Sequence, residues 1–248
     1  MWEIEPVAAF IAGAFVLAGL VKGTVGLGLP TVAIGLLAVV MPPAEAAAIL
    51  ILPSLATNIW QMAAGPHLRS LVRRLWPAIM GVAIGTLAGT GWLAGADPRY
   101  ARALLGLALV IYAASGLWSL RLTVTAAAER WAGPVVGTLT GLVTAATGIF
   151  AIPAVPYLQA IGLEKEELIQ ALGLSFTVST AALAVNLALS STFTWSLGPS
   201  VAIALVAAFA GMGLGQALRT RLEPATFRVL FFVAIAILGA YLIVRATV

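Results

Sequence analysis

The stretch GLVKGTVGLGLPTVAI, Gly19 to Ile34, sets a lysine, several glycines and a proline inside an otherwise apolar run from Val7 to Val40. A bilayer ordinarily requires an unbroken greasy helix, so an ammonium group and a flexible backbone at that depth need a reason. The rest of the chain supplies the setting. Its 248 residues are 62% hydrophobic and only 9% charged, with a mean hydropathy of +1.08, against about 25% charged residues in a soluble domain. Ala, Leu, Val, Ile and Gly run continuously for about twenty residues, where barrel strands would alternate over about ten. The sequence therefore specifies an all-α integral membrane protein whose first partner is the lipid bilayer.

Six segments have the length of a span: Ala44–Ala64, Trp76–Gly95, Ala101–Leu120, Leu168–Leu189, Gly198–Leu218 and Ala225–Val244. Val7–Val40 and Trp131–Ile161 are too long for one crossing, and each is interrupted by Gly, Thr and Pro. The acidic start MWEIEP lacks the basic region of a secretory signal and is expected to be retained. There is no Cys, which removes disulfides and thiolate metal sites.

The two halves of the chain resemble each other. A shift of 126 sets Gly85 on Gly211, Gly89 on Gly215, Asp97-Pro98 on Glu223-Pro224 and Arg102 on Arg228. A shift of 122 sets Gly19 on Gly141 and Gly26 on Gly148. The offset change is ascribed to the loop GLEKEEL being longer than its counterpart MPPAE. The expected units are 1–130 and 131–248, two repeats of one transmembrane domain.

Charge orients the repeats. With the loop Gly65–Arg74 inside, inverted halves place Arg69, Arg73, Arg74, Arg121, Arg130, Lys165, Arg219, Arg221 and Arg228 inside and only Arg99, Arg102 and Arg245 outside. Parallel halves would split the same cations evenly, so the positive-inside rule favours inversion. It also accounts for the pI near 10.0 without nucleic acid. Inverted halves must each cross an odd number of times. Each interrupted region then becomes a broken, re-entrant hairpin joined to three transmembrane helices, with its tip near the midplane. The arms Val7–Val21 and Pro30–Val40 would span roughly 23 and 17 Å, short of a 30 Å core.

Breaks at membrane depth survive where they line a cavity, and half-helix N-termini there attract anions. Pro30 and Pro153 would open the second arms, and Lys22 would bring a positive charge. All nine acids fall at predicted ends or loops, so no intramembrane carboxylate is available for a cation or for pairing with Lys22. Around the breaks the candidate ligands are Lys22, Gly23, Thr24, Gly26, Gly28 and Thr31 in the first half, with Thr144, Thr147 and Gly148 in the second. Ser54, Thr57, Asn58 and Gln61 share one helical face, as do Ser175, Ser179 and Asn186. Interhelical hydrogen bonding accounts for part of these, and Ser54, Asn58, Ser175, Ser179 and Asn186 are also candidates to line a pathway. The stripes Gly81, Gly85, Gly89 and Gly211, Gly215 read as helix packing. No metal, phosphate-loop or nucleophile motif occurs, and the single His67 lies in a basic loop. Neither enzyme activity nor a cofactor is expected.

The segment AGLVKGTVGLGLPTVAI, its second copy TGLVTAATGIFAIPAV and the following ALGLSFTVSTAALAVN resemble the TauE/SafE family of membrane permeases over essentially the whole chain. The second copy departs from the family's usual Gly-Gly-type run in carrying Ala-Ile-Pro. The resemblance implies passage of small sulfur-containing anions, sulfite or organosulfonates, across the cytoplasmic membrane. The residues themselves reach only an anion; the sulfur comes from the family. An anion-selective channel and an uptake carrier for another small organic anion are the alternatives, and no oligomeric state is encoded in readable form.

Overall fold

The structure, a computed structural model, describes residues 4–118, 123–192, 197–219, 221 and 223–247. Arg121, used above to orient the chain, lies outside them, as does Glu3 of the acidic start. The elements are α1 (Ile4–Val25), α2 (Leu29–Leu37), α3 (Pro43–Ala63), α4 (Leu68–Ala88), α5 (Trp92–Gly95), α6 (Pro98–Leu117), α7 (Ala126–Thr147), α8 (Ala154–Ala160), α9 (Lys165–Leu189), α10 (Gly198–Leu218) and α11 (Pro224–Thr247). Among the described residues, seven helical stretches are long and apolar enough to cross a membrane. The protein is an all-helical, multi-pass membrane protein.

Three boundaries differ from the sequence reading, each for a physical reason. First, α4 begins at Leu68, so Arg69, Arg73 and Arg74 stand on its opening turns and not in a loop. Leu71 and Leu75 are buried one turn apart while the arginines face outward. The charges depress the hydropathy of that stretch without breaking its helical period. Second, the leading arms are 22 residues each, roughly 33 Å at 1.5 Å per residue, not the fifteen expected of α1. The helix runs through Lys22 because a single lysine has no effect on backbone hydrogen bonding. The returning arms are short, nine and seven residues. Third, the four residues that change the repeat offset are not loop. α3 and α9 begin at equivalent N-caps, Pro42 and Glu164, but α9 has 25 residues against 21. The addition is one helical turn, opened by a capping box between Glu164 and Glu167.

The acidic-Pro helix starts behave as expected: Asp97 caps α6 by accepting from the Arg99 amide at 2.8 Å, and α11 begins at Pro224. Pro30 sits in the first turn of α2, whereas Pro153 is the N-cap of α8.

Helix contacts exchange between the halves. α1 packs on α10 as α7 packs on α4; α3 meets α9, and α6 meets α11. The glycine stripes form these seams. A Cβ on Gly81 would meet Pro134 and Thr138, on Gly85 Leu142, and on Gly89 Ala145, so α4 and α7 run parallel. Gly19 lies against Ala208 and Met212, and Gly23 against Met212 and Gln216, so α1 and α10 are parallel too. Gly106 faces Ile243 while Gly116 faces Phe232, making α6 and α11 antiparallel. Gly173 lies against Met62, and Ser54 against Thr180, making α3 and α9 antiparallel.

One end of the bundle is tied together by polar contacts. Gln170, near the start of α9, donates to the Met62 and Gly65 carbonyls at 2.7 Å and accepts from the His67 amide at 2.9 Å. Arg74 forms a two-pronged pair with Glu129 at 2.8 Å and also donates to the Ile161 carbonyl at 2.8 Å. This joins α4, α7 and the end of α8. The first turns of α4, α7, α9 and α11 and the last turn of α10 therefore share this end, which carries most of the protein's cations.

Candidate functional site

Lys22 is 4% exposed, in the last turn of α1. Its ammonium donates to Asn58 Oδ1 on α3. Asn58 Nδ2 donates to Ser54 Oγ at 3.0 Å, and Ser54 Oγ meets Thr180 Oγ1 of α9 at 3.2 Å. Thr180 then donates to the Phe176 carbonyl at 2.6 Å. This polar chain is fully buried and links three helices. Ser54 and Thr180 are 126 residues apart, the same shift that aligns the two halves of the sequence. Among the described residues no carboxylate pairs with Lys22: Glu129 pairs with Arg74, and Glu167 lies 3.9 Å from His67.

The first break is held by Gln61, whose Nε2 donates to the Gly26 carbonyl at 2.9 Å and to the Ile169 carbonyl at 2.8 Å. Gly26 and Gly28 have φ of 79° and 102°, a region where a side chain is strained. Gly28 is the N-cap of α2. Thr24 Oγ1 returns to the Val21 carbonyl at 2.8 Å, and Thr31 is buried within α2. Gly23, taken from the sequence as a ligand position, instead belongs to the seam with α10: an added Cβ would run into the Met212 carbonyl.

The second break forms a separate cluster. Thr144 Oγ1 donates to the Thr140 and Ile149 carbonyls, at 2.8 and 3.2 Å. Thr147 Oγ1 donates to the Val143 carbonyl at 2.7 Å and accepts from the Ile149 amide at 3.2 Å. Gly148, with φ of 73°, lies against Ile34, Ala47 and Leu93. Because the first tip lies beside Asn58 and Gln61 and the second beside Ala47, they are about 17 Å apart along α3 at 1.5 Å per residue. The long leading arms carry each tip past the middle. The two tips therefore do not converge, and the polar chain from Lys22 to Thr180 lies between them. Ser179 donates to the Ser175 carbonyl at 2.9 Å within α9. Asn186 donates to the Thr86 carbonyl at 2.7 Å, joining the ends of α9 and α4 on the side of the second break, where Thr86 packs on Gly141 of α7.

A cavity of about 490 Å³ opens at the cation-rich end. Thr24, Val25 and Leu27 of the first break form part of its wall, and Tyr112, Phe231 and Phe232 form an aromatic floor. The Tyr112 ring meets Phe232 edge-on at 5.3 Å between centroids. Lys165, Arg219 and Arg228 line it, and among the described residues no acid does. These three cations entered the sequence reading only as topology markers. The repeat match of Arg228 to Arg102 was the one signal that set it apart. Tyr112 gave none, since its neighbours are far away in the chain.

Searches of curated proteins and of solved structures gave no match. The family model described as sulfite exporter TauE/SafE matches residues 11–242, nearly all of the chain, from within α1 to within α11. With its multi-pass helical architecture and paired helix breaks, the chain belongs to the sulfite exporter TauE/SafE family.

Proposed function

We propose that the protein is a permease that moves a small anion, sulfite or an organosulfonate, across the cytoplasmic membrane by alternating access. The observation that carries this reading is the Lys22 ammonium, buried and held by an amide with no carboxylate counter-charge among the described residues. A lone ammonium at membrane depth costs about 2.5–3.5 kcal/mol on insertion scales, a cost that a transported anion offsets. Lys22, Asn58, Ser54 and the residues of the two breaks would form the transport path.

The halves 1–130 and 131–248 are read as inverted repeats. The helix directions support this: α7 runs with α4 and α1 with α10, while α3 and α6 oppose their counterparts α9 and α11. Each short returning arm, α2 or α8, then makes a broken, re-entrant hairpin with its long leading arm. The cation-rich end is read as cytoplasmic under the positive-inside rule, so the open cavity is the inward-facing access route. An interior-negative potential favours anion exit by about 2.3 kcal/mol per charge per 100 mV, which is sufficient for export without a coupled ion.

Proteoliposomes loaded with sulfite under anaerobic conditions provide the test. Wild type is expected to show saturable efflux and to accelerate when sulfite is present on the opposite face. Lys22→Gln is expected to lose at least tenfold of that rate, with Lys22→Arg retaining part of it. Non-saturating flux without acceleration by opposing sulfite would favour a channel. Full activity in Lys22→Gln would remove the lysine from the mechanism.

A further inference from the structure

We infer that the basic cavity is a receiving site for the transported anion, with Arg228 as its principal cation and the Tyr112 hydroxyl as its inner hydrogen-bond donor. The inference rests on the permease reading above and adds a second station, distinct from Lys22.

The first support comes from comparing repeat mates. Arg102 and Arg228 occupy the same position in α6 and α11, four residues after the opening proline. Arg102 Nε donates to the Ala38 carbonyl at 3.1 Å, at the C-cap of α2, and so ties down the end of the first hairpin. The matching C-cap of α8 is Ile161. Its carbonyl is already taken by Arg74 at 2.8 Å, and the preceding Ala160 carbonyl accepts from the Val124 amide at 2.9 Å. Arg228 therefore has no hairpin end to hold. Among the described residues it makes no hydrogen bond, and it lines the cavity instead. Arg102 serves the fold, and its counterpart is left available for a ligand.

The second support is independent. The Tyr112 hydroxyl is buried, with the residue 2% exposed, and it has no hydrogen-bond partner among the described residues. It belongs to the lining of the same cavity. A buried O–H without an acceptor is uncommon in folded proteins, and an oxyanion in the cavity would supply one. Lys165 and Arg219 add positive charge to the lining, where no acid among the described residues competes. Such a cation-lined concavity raises the local concentration of anions and selects against cations.

Equilibrium binding of radiolabelled sulfite to the purified full-length protein, under anaerobic conditions, tests this. Arg228→Gln is expected to weaken binding five- to twentyfold and Tyr112→Phe at least threefold, while Arg228→Lys recovers most of the loss. Arg102→Gln, the fold-serving mate, should lower the thermal midpoint yet keep affinity within twofold of wild type. Wild-type affinity in both Arg228→Gln and Tyr112→Phe, alongside lost binding in Lys22→Gln, would overturn the receiving site and leave the deep site standing. A loss in Arg228→Gln with none in Tyr112→Phe would reduce the cavity to a general positive potential and also overturn the assignment. No binding of sulfite or of methanesulfonate by the wild type would overturn the permease reading together with it.

Discussion

Lys22 and Asn58 illustrate how a buried charge is tolerated, and at what cost. Removing one partner strands the other: a buried amide oxygen left unsatisfied costs about 1–3 kcal/mol, and an unpaired buried charge about 3–5 kcal/mol. Replacing both with apolar groups of similar size is often neutral or stabilising. Asn58→Leu should therefore lower the thermal midpoint most and Lys22→Met less. The double variant should be at least as stable as wild type while failing to bind sulfite. Thermal unfolding in detergent decides the order. A double variant less stable than either single variant would mean that the pair serves the fold. The sequence made the lysine conspicuous but hid its partner. A search for a carboxylate found none, and Asn58 was visible only as one polar residue on a helical face. Tyr112 was wholly illegible, because its significance lies in an absent hydrogen bond and in ring contacts to Phe231 and Phe232 across a long chain separation.

Among the helices, the seams are where sequence and structure agree most closely. Glycines repeating every fourth residue announce close backbone approach, and α4 with α7 and α1 with α10 meet along those stripes. The seams also give a clean contrast. Gly141→Ala would drive a Cβ into the Val82 carbonyl and toward the Thr86 amide, whereas Gly213 in α10 has nothing within 4 Å. Overpacking typically costs about 1–3 kcal/mol, while replacing an uncrowded helical glycine by alanine gains up to about 1 kcal/mol. Gly141→Ala should lower the thermal midpoint and Gly213→Ala should hold or raise it. Equal behaviour of the two would contradict the seam. Helix ends were harder to read. Arg69, Arg73 and Arg74 disguised two turns of α4, because hydropathy records side chains and not the backbone period. The additional turn of α9 looked like loop because its residues, Lys165 to Leu168, are mostly charged.

For the molecule as a whole, the absence of cysteine makes any introduced thiol unique. Gln159, exposed on α8, lines the open cavity; Tyr100, exposed on α6, lies at the opposite end. In oriented membranes Gln159→Cys should react with a charged, impermeant thiol reagent only from the cytoplasmic face, with unreactive methanesulfonate slowing the reaction. Tyr100→Cys should react only from the other face. Labelling of both from one side would overturn the proposed inverted arrangement. At this scale the sequence offers two shifts, 122 and 126, and the proposed twofold arrangement is built on them. The separation of the two tips was not legible, since it depends on arm lengths that the sequence understated.

The single added turn of α9 bears on direction. A carrier assembled from two interchangeable inverted halves would look the same from either side, and its two half-cycles would proceed at one speed. In the inverted-repeat carrier proposed above, the additional turn of α9, with the capping box that starts the helix, removes that equivalence and gives the protein a front and a back. Thermodynamics limits the effect. With no potential across the membrane and nothing consumed, maximal rate divided by half-saturation concentration must match for the two directions, so net flow still follows the gradient. What the turn allows is rectification at saturation: one face slower and tighter, the other faster and weaker, in compensating proportion.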